Sequence, residues 1–290
     1  MGKMKSDIKS LKKLSIDELI QKANQIREEV VKVAVRNGAG HIAPSLSSID
    51  IIASLYYKIM NLSVDPQWED RDRLVFSKAH GCYGVYAILA DLKYIQRKDW
   101  EDFYRGSFLS GCIERNVICG IEASCGSLGH GLPLAAGIAF GAKLQGKKYR
   151  VYCVTGDGEM QEGSNWEAIQ FAVKHELSNL TLIIDKNNLQ AMDFLTNVLT
   201  PVDSKNDLDG KMEAFGFEVM SCNGHDIKEI VSVAEKFINM GREQSGKPQV
   251  LIANTVKGYG LVCMENVPKF HFRVPTEDEL AMGKRYERCE

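Results

Sequence analysis

Apolar positions in the first part of the chain recur at helical spacing. Ser15 and Glu18 have the spacing of a capping box, and the apolar residues after them predict a helix from about Ser15 to Arg36. A Gly-rich cluster at 37–40 then ends this helix. We expect roughly residues 1–110 to be mainly helical. Two more helices are expected there, one after Ser47-Ser48 and one over about 83–92.

From residue 149 onward, short β-rich runs alternate with helical segments. The runs are mainly apolar, which is typical of strands that are buried on both faces. This alternation predicts an α/β fold with a doubly wound, mostly parallel sheet flanked by helices, whose ligands bind beyond the carboxyl ends of the strands. The expected strands are 149–155, 180–185, 217–220 and 249–256, and the expected helices are 164–176, near 207–215, and 226–241.

Composition narrows the class of protein. The 290 residues include 44% hydrophobic and 26% charged residues, and 36 Lys+Arg nearly balance 38 Asp+Glu for a net charge of -2. A nucleic-acid partner is not expected, because a protein that neutralises many phosphates normally carries a basic excess. No repeat or Pro/Gly/Ser-rich linker divides the sequence, so we expect residues 1–290 to form a single domain.

Cysteine spacing and apolar run length indicate the compartment. The eight cysteines form no C-x-x-C pair, so neither a zinc site nor a disulfide framework is expected. The N-terminal segment lacks the apolar core of a signal peptide, and the longest apolar run, Leu132 to Ala142, is too short to span a bilayer. We expect a cytoplasmic protein with reduced thiols and no membrane contact.

Polar residues follow two consecutive predicted strands. Gly156-Asp157-Gly158 comes after the first, and Lys186-Asn187-Asn188-Leu189 comes after the second. If the strands are neighbours, both loops emerge at one edge of the sheet. The Asp157 carboxylate, the Asn187 amide oxygen and the Leu189 carbonyl could then complete an octahedral Mg²⁺ site with diphosphate oxygens. The alternative is that both loops are ordinary turns with a capping aspartate.

The Gly-Asp-Gly and Asn-Asn pair resembles the signature of thiamine diphosphate enzymes. The surrounding segments are similar, in order, to the N-terminal, diphosphate-binding half of transketolase along nearly the whole chain. Short motifs seldom fall in a family's order by chance. The segments are Gly40-His41, Arg71-Asp72-Arg73, Ser77-Lys78-Ala79-His80-Gly81, Gly120-Ile121-Glu122, Gly126-Ser127-Leu128-Gly129-His130-Gly131, Gly156-Asp157-Gly158, Glu162-Gly163, Asp185-Lys186-Asn187, Gly224-His225-Asp226 and Lys257-Gly258-Tyr259-Gly260.

The resemblance implies roles for three histidines that local chemistry alone leaves as ordinary loop residues. His41 and His271 match catalytic histidines that contact substrate hydroxyls, and His80 and His271 match histidines that contact the cofactor diphosphate. His175 and His225 keep structural interpretations, the latter beside a capping box from Asp226 to Glu229.

The resemblance also implies the rest of the cofactor site. Gly126, Ser127 and Leu128 match a loop at the aminopyrimidine end of thiamine diphosphate, and residues 131–144 after it are expected to form a buried helix. Gly158 and Asn187 complete the expected cofactor contacts, and the metal held by Asp157, Asn187 and Leu189 would be Mg²⁺, or Ca²⁺ or Mn²⁺ in its place.

Two departures from the family pattern qualify these expectations. Cys112 stands where transketolases usually have a further substrate-contacting histidine, so substrate specificity is expected to differ. The chain ends at Glu290, whereas full-length transketolases continue into a pyrimidine-binding domain, which supplies the activating glutamate, and a C-terminal domain. The sequence does not distinguish a natural split from truncation.

The implied function is therefore that of one subunit of a split transketolase. It would transfer a two-carbon ketol unit between sugar phosphates of the pentose phosphate pathway, with a C-terminal subunit completing the site. Glu162 resembles a residue of the subunit contact region, and we expect at least a homodimer, or a heterotetramer with the partner. The alternatives are a non-catalytic binding homologue and a subunit of another thiamine enzyme, either deoxyxylulose phosphate synthase-like or 2-oxoacid dehydrogenase alpha-like.

Overall fold

The computed structural model describes residues 10–38, 40–115, 118–191, 193–199, 208–242 and 246–285. Its order of elements agrees with the alternation that the sequence predicts. The helices are α1 (Ile16–Asn37), α2 (Ile42–Leu46), α3 (Ile49–Ser54), α4 (Tyr83–Asp91), α5 (Arg97–Glu101), α6 (Gly131–Leu144), α7 (Gly163–Lys174), α8 (Leu195–Val198), α9 (Leu208–Phe215), α10 (Ile227–Arg242) and α11 (Glu277–Leu280). The strands are β1 (Arg73–Phe76), β2 (Val151–Gly156), β3 (Leu180–Lys186), β4 (Glu218–Asn223) and β5 (Gln249–Asn254).

The N-terminal portion is helical, as predicted. The Ser15 side chain accepts the Glu18 N–H and Glu18 accepts the Ser15 N–H, so the predicted capping box opens α1. Gly38 closes α1 in the left-handed region at φ 71°. The second predicted helix is α3, and a wider π-type turn over Leu55–Ile59 extends it.

The sheet is parallel, with strand order β1-β2-β3-β5-β4. β2 and β3 are neighbours, with Gly156 paired to Asp185. Every described strand therefore ends at the same edge, which is where ligands bind in such sheets. The predicted strand 249–256 ends earlier, at Asn254, because the Val256 N–H donates to the His225 side chain instead of to a strand.

Helices cover both faces of the sheet. Side chains alternate along each strand, so Tyr152 and Val154 pack with α1, α3, α4 and α10, while Val151 and Cys153 pack with α6, α7 and α9. This two-sided burial explains why the strands lack polar alternation and confirms the predicted α/β class.

Helix α6 corrects one expectation. Its bounds are those predicted, but only the face with Leu132, Ala135 and Ala139 is buried. Leu134 is 45% exposed and Leu144 is 71% exposed on other faces of the same helix. The apolar character of the whole helix suggested full burial, whereas in this chain α6 presents an open apolar surface.

Candidate active site

The loops after β2 and β3 converge as the strand register requires. Asp157 is buried, and its two carboxylate oxygens accept the N–H groups of Gly158 and Asn188. A side chain on Gly158 would lie 3.0 Å from Gln190 Cβ and 3.7 Å from the Leu189 carbonyl oxygen, so the two loops nearly touch. Asn188 adopts a left-handed φ of 60° in this loop.

The donors at this point are hard oxygen atoms. Asn187 is buried, and its Oδ1 accepts the Leu189 N–H at 3.1 Å. Burial, and secondarily repulsion from Asp185, raises the pKa of Asp157 to about 7. A buried carboxylate held only by backbone N–H groups is suited to a divalent cation, so the residues fit the predicted metal site. Within the described residues, no group of three His, Cys, Asp or Glu side chains forms an alternative centre.

An ionic network adjoins the predicted metal loop, which consists of residues 157–158 after β2 and 187–190 after β3. Lys78 pairs with Asp185 at the end of β3 and also donates to Ser47 Oγ at 2.8 Å. Asp185 further accepts from Ser47 at 2.7 Å and from Thr255. Lys78 and these hydroxyls lower the pKa of the Asp185 carboxyl despite its complete burial. The network joins loops from four parts of the chain under one edge of the sheet.

The three predicted histidines gather from distant loops. The ring centroid of His41 lies 4.8 Å from that of His80 and 5.5 Å from that of His271. His41 Nδ1 is buried and has no hydrogen-bond partner among the residues that the structure describes. Burial, with charge repulsion from neighbouring cations, lowers the pKa of His41 to about 4 and that of His271 to about 3. Burial also lowers the pKa of His80.

Phe272 packs against the same cluster. Its ring centroid lies 4.5 Å from that of His41, and a Cβ on Gly40 would lie 2.5 Å from its ring. A side chain at position 40 would therefore require the exposed Phe272 ring to move away from His41.

Lys257 links the histidines to the metal loop; it lies in the family segment Lys257-Gly258-Tyr259-Gly260, for which the sequence predicted no role at the site. Its Nζ donates to the Gln190 carbonyl at 2.8 Å and lies 2.9 Å from His271 Nδ1. Burial lowers the pKa of Lys257 to about 8. The available signal was its position in the loop after β5, at the edge where β2 and β3 place Asp157 and Asn187.

Glu159 is a further residue of the site that the sequence pattern does not indicate. This buried carboxylate accepts the N–H of Gly129 at 3.0 Å and that of Gly156 at 3.3 Å, and it also accepts from Ser77. It thereby ties the chain just after Gly126-Ser127-Leu128 to the start of the metal loop. Ser127 is exposed, and Gly126 and Leu128 are partly exposed, so the loop is open to a ligand.

Cys112 lies beside the predicted aminopyrimidine loop. A Cβ on Gly126 would lie 3.5 Å from Cys112 Sγ, and burial raises the pKa of this thiol. Backbone pairing of Ile113 with Cys125 holds the two segments together. The residue that departs from the family pattern is therefore in contact with the expected cofactor loop.

The fold and site together define an α/β protein with a candidate diphosphate-binding site at the carboxyl edge of a parallel sheet. The family model "Transketolase, thiamine diphosphate binding domain" matches residues 19–286, so the chain belongs to that family. This confirms the resemblance and the fold class predicted from sequence.

Curated relatives match over nearly their full length. An apulose-4-phosphate transketolase subunit from Actinobacillus succinogenes is 41% identical over 277 residues, covering 93% of this chain and 96% of that protein. A 6-deoxy-6-sulfo-D-fructose transketolase subunit from Clostridium sp. is 34% identical, covering 90% of this chain and 93% of that protein.

Solved transketolases share the fold. The enzyme from Campylobacter jejuni matches with a TM-score of 0.81 and 31% identity, over 92% of this chain and 42% of that one. The enzyme from Leishmania mexicana matches with a TM-score of 0.80 and 28% identity, over 93% and 40%. The chain therefore spans about two-fifths of these solved proteins. In the described part of this chain, no helix has the length and apolar character needed to cross a membrane.

Proposed function

We propose that the chain is the diphosphate-binding subunit of a two-component transketolase, which moves a two-carbon ketol unit between sugar phosphates. The observation that carries the proposal is the meeting of the Asp157 loop and the histidine cluster at one sheet edge, joined by Lys257 and Gln190. The near-complete overlap with relatives named as transketolase subunits supports a separate partner subunit.

Asp157, Asn187 and the Leu189 carbonyl would hold Mg²⁺, or Ca²⁺ or Mn²⁺, against a diphosphate. Gly158, His80 and His271 would contact that diphosphate, and Gly126-Ser127-Leu128 would contact the aminopyrimidine. Thiamine diphosphate, when bound, supplies a carbon nucleophile and an electron sink. The two loops that Glu159 ties together would then hold the two ends of one cofactor.

The histidines would act as neutral hydrogen-bonding groups. A lysine ammonium can only donate, so the contact of Lys257 with His271 Nδ1 leaves the ring proton on Nε2. His271 can then donate to a phosphate oxygen or a sugar hydroxyl. The unpartnered Nδ1 of His41 can accept or donate a proton at a substrate hydroxyl, which suits the predicted catalytic role.

The open face of α6 supports a partner. Leu134 and Leu144 are exposed there, and a side chain on Gly137 or Gly141 would meet nothing within 4 Å. An exposed apolar surface of this kind is suited to a permanent interface. A C-terminal transketolase subunit carrying the pyrimidine-binding domain would cover it near Glu162, in a heterotetramer of two chains of each kind.

Substrate choice is the finer part of the proposal. The relatives are named for apulose-4-phosphate and 6-deoxy-6-sulfo-D-fructose, so the substrate panel extends beyond the ketoses of the pentose phosphate pathway. Cys112, at the Gly126 loop, is the residue whose departure from histidine would alter that choice. The seven described cysteines are free, which supports a cytoplasmic location, and the family match over 19–286 supports a single domain.

The test is a ketol-transfer assay on the full chain with and without its C-terminal subunit, in the presence of thiamine diphosphate and Mg²⁺. We expect the chain alone to be inactive and the mixture to transfer ketol units from one or more of a panel of ketose phosphates. Light scattering on the same samples should give at least a dimer for the chain and a heterotetramer for the mixture.

Robust transfer by a monomer of this chain would contradict the split site. Cofactor binding without any transfer would favour the non-catalytic homologue, and pyruvate decarboxylation without transfer would favour the dehydrogenase-like alternative.

A further inference from the structure

His225 has a hydrogen-bond arrangement that helix capping does not explain. Its side chain is 7% exposed, Nδ1 lies 2.8 Å from Asp50 Oδ2, and Nε2 accepts the Val256 N–H at 2.9 Å. A backbone N–H can only donate, so Nε2 carries no proton and Nδ1–H donates to Asp50. The predicted capping box is only half formed, because Glu229 accepts the Asn223 N–H instead of that of Asp226.

Asp50 is held in place by other contacts, and it therefore orients the His225 ring. The same Oδ2 atom accepts from Arg27 at 2.6 Å, and Asp50 is buried on α3. Arg27 and His225 lower the pKa of the Asp50 carboxyl against the opposing effect of burial. The ionised carboxylate therefore holds the Nδ1–H tautomer of His225 and aims Nε2 at the backbone after β5.

That backbone leads directly into the candidate site. Val256 precedes Lys257, whose Nζ reaches the Gln190 carbonyl and His271 Nδ1. The next N–H, of Gly258, donates to the Ala43 carbonyl at 3.1 Å, beside the loop that carries His41. The direction in which the chain leaves β5 thus sets where the Lys257 side chain begins.

His225 also contacts the far end of the same segment. The Tyr259 ring is stacked on the His225 ring, with centroids 3.5 Å apart and an angle of 11° between planes. Arg27 lies 5.0 Å from the centroid of Tyr259. The His225 imidazole therefore hydrogen-bonds Val256 and stacks on Tyr259, and Lys257 lies between these two residues in the chain.

We propose that His225, oriented by Asp50, is a positioning residue that places Lys257 against His271 and the metal loop. The value of that placement for cofactor binding rests on the proposed function, but the placement itself is measurable without catalysis. His225 is not among the residues expected to contact the cofactor or the substrate, and it acts through the backbone at Val256.

Two substitutions separate positioning from general stability. In His225→Gln the side-chain oxygen can replace Nε2 and still accept the Val256 N–H. In His225→Asn the shorter amide can still donate to Asp50 but cannot reach Val256. Ser54→Ala is the matched control, because it removes a buried hydrogen bond to the Asp50 carbonyl, 2.7 Å long, without touching Val256.

The primary readout is ¹⁵N NMR of the histidine rings in the full chain, with amide exchange measured at Val256. In His225→Asn we expect Val256 to exchange at least about 10-fold faster and His271 to lose its single Nε2–H tautomer. His225→Gln and Ser54→Ala should keep both wild-type signatures. In the complex with the partner subunit, only His225→Asn should weaken thiamine diphosphate binding, by about 10-fold.

Wild-type His271 signals in a folded His225→Asn chain, or equal loss in the Gln variant, would overturn the proposal. If the Asn variant does not fold, the wild-type spectrum decides, because a protonated Nε2 on His225 would also overturn it. If the complex lacks ketol transfer while these NMR results hold, the proposed function fails and the positioning role stands.

Discussion

The strand-end loops and the histidine cluster are built in different ways, although they meet at one site. Asp157 and Asn187 follow neighbouring parallel strands whose register pairs Gly156 with Asp185. His41, His80 and His271 come from a loop before α2, a turn after β1 and a turn at Pro268–Phe272, and they meet by packing. Sheet geometry thus fixes the first group, whereas the second depends on how separate loops dock.

This difference predicts different responses to substitution. The metal loop is held by backbone hydrogen bonds at a rigid sheet edge, so a change there should alter ligand binding and leave the fold intact. The histidines contact one another, so a change there should also alter protonation and local stability. Removal of the proposed metal ligand should have the largest effect, which is on cofactor binding. Removal of one titrating histidine should have the smallest effect, which is on the pH dependence of stability.

Asp157→Ala tests the strand-end loops. If Asp157 is the proposed metal ligand, loss of its carboxylate should weaken Mg²⁺-dependent thiamine diphosphate binding by at least about 100-fold. Calorimetry on the complex with the partner subunit measures this, with Asp17→Ala on the exposed start of α1 as control. Unchanged affinity would refute the assignment, and circular dichroism should confirm that the fold is retained.

His271→Ala and His41→Ala test the histidine cluster. His271 is expected to reach both ligands, so its loss should lower turnover by about 100-fold and also weaken thiamine diphosphate binding. His41→Ala should lower kcat/KM for the ketose by a similar factor with cofactor affinity unchanged. Wild-type rates for His41→Ala with every accepted ketose would remove it from the mechanism.

The pH dependence of stability sharpens the comparison further. The folded pKa values of about 4 for His41 and about 3 for His271 lie below the usual 6.5, so between these values the two histidines bind fewer protons in the folded chain than in the unfolded chain. The contribution of these two histidines to the free energy of unfolding should therefore rise with pH up to about 6.5 and be lost on acidification.

His271→Gln should flatten this dependence by about 1 kcal/mol between pH 7 and pH 4, after allowance for solvent screening of a half-buried ring. Urea unfolding at a series of pH values measures it, and His130→Gln, at an exposed histidine, is the control. Parallel curves for wild type and His271→Gln would contradict the depressed pKa.

The sequence could predict the features that depend on the spacing of apolar residues and on the pairing of parallel strands. The capping box at Ser15 and the strands around Gly156 and Asp185 follow from local pattern, and parallel pairing then brings Asp157 to Asn187. Only family resemblance indicates the histidines, because no local signal distinguishes a loop histidine that packs on two others. The structure supplies their contacts, while their roles stay predictions.

What sequence could not predict depends on contacts between distant segments. Glu159 looks like an ordinary acidic residue in a turn, and only the structure brings the N–H of Gly129 to its carboxylate. The role of Lys257 becomes visible only in the structure, where the turn that carries His271 places the imidazole against its ammonium group. The prediction that α6 is fully buried was wrong because an apolar helix has the same sequence pattern whether its own chain or another chain covers it.

The open side of α6 has a consequence for how the cell must supply this protein. If Leu134 and Leu144 belong to a permanent interface, each copy of the chain without a partner subunit exposes an apolar, aggregation-prone surface. Chaperones and proteases remove such orphan copies continuously. The steady-state amount would then follow the scarcer of the two subunits, so balanced synthesis of both becomes a requirement for abundance.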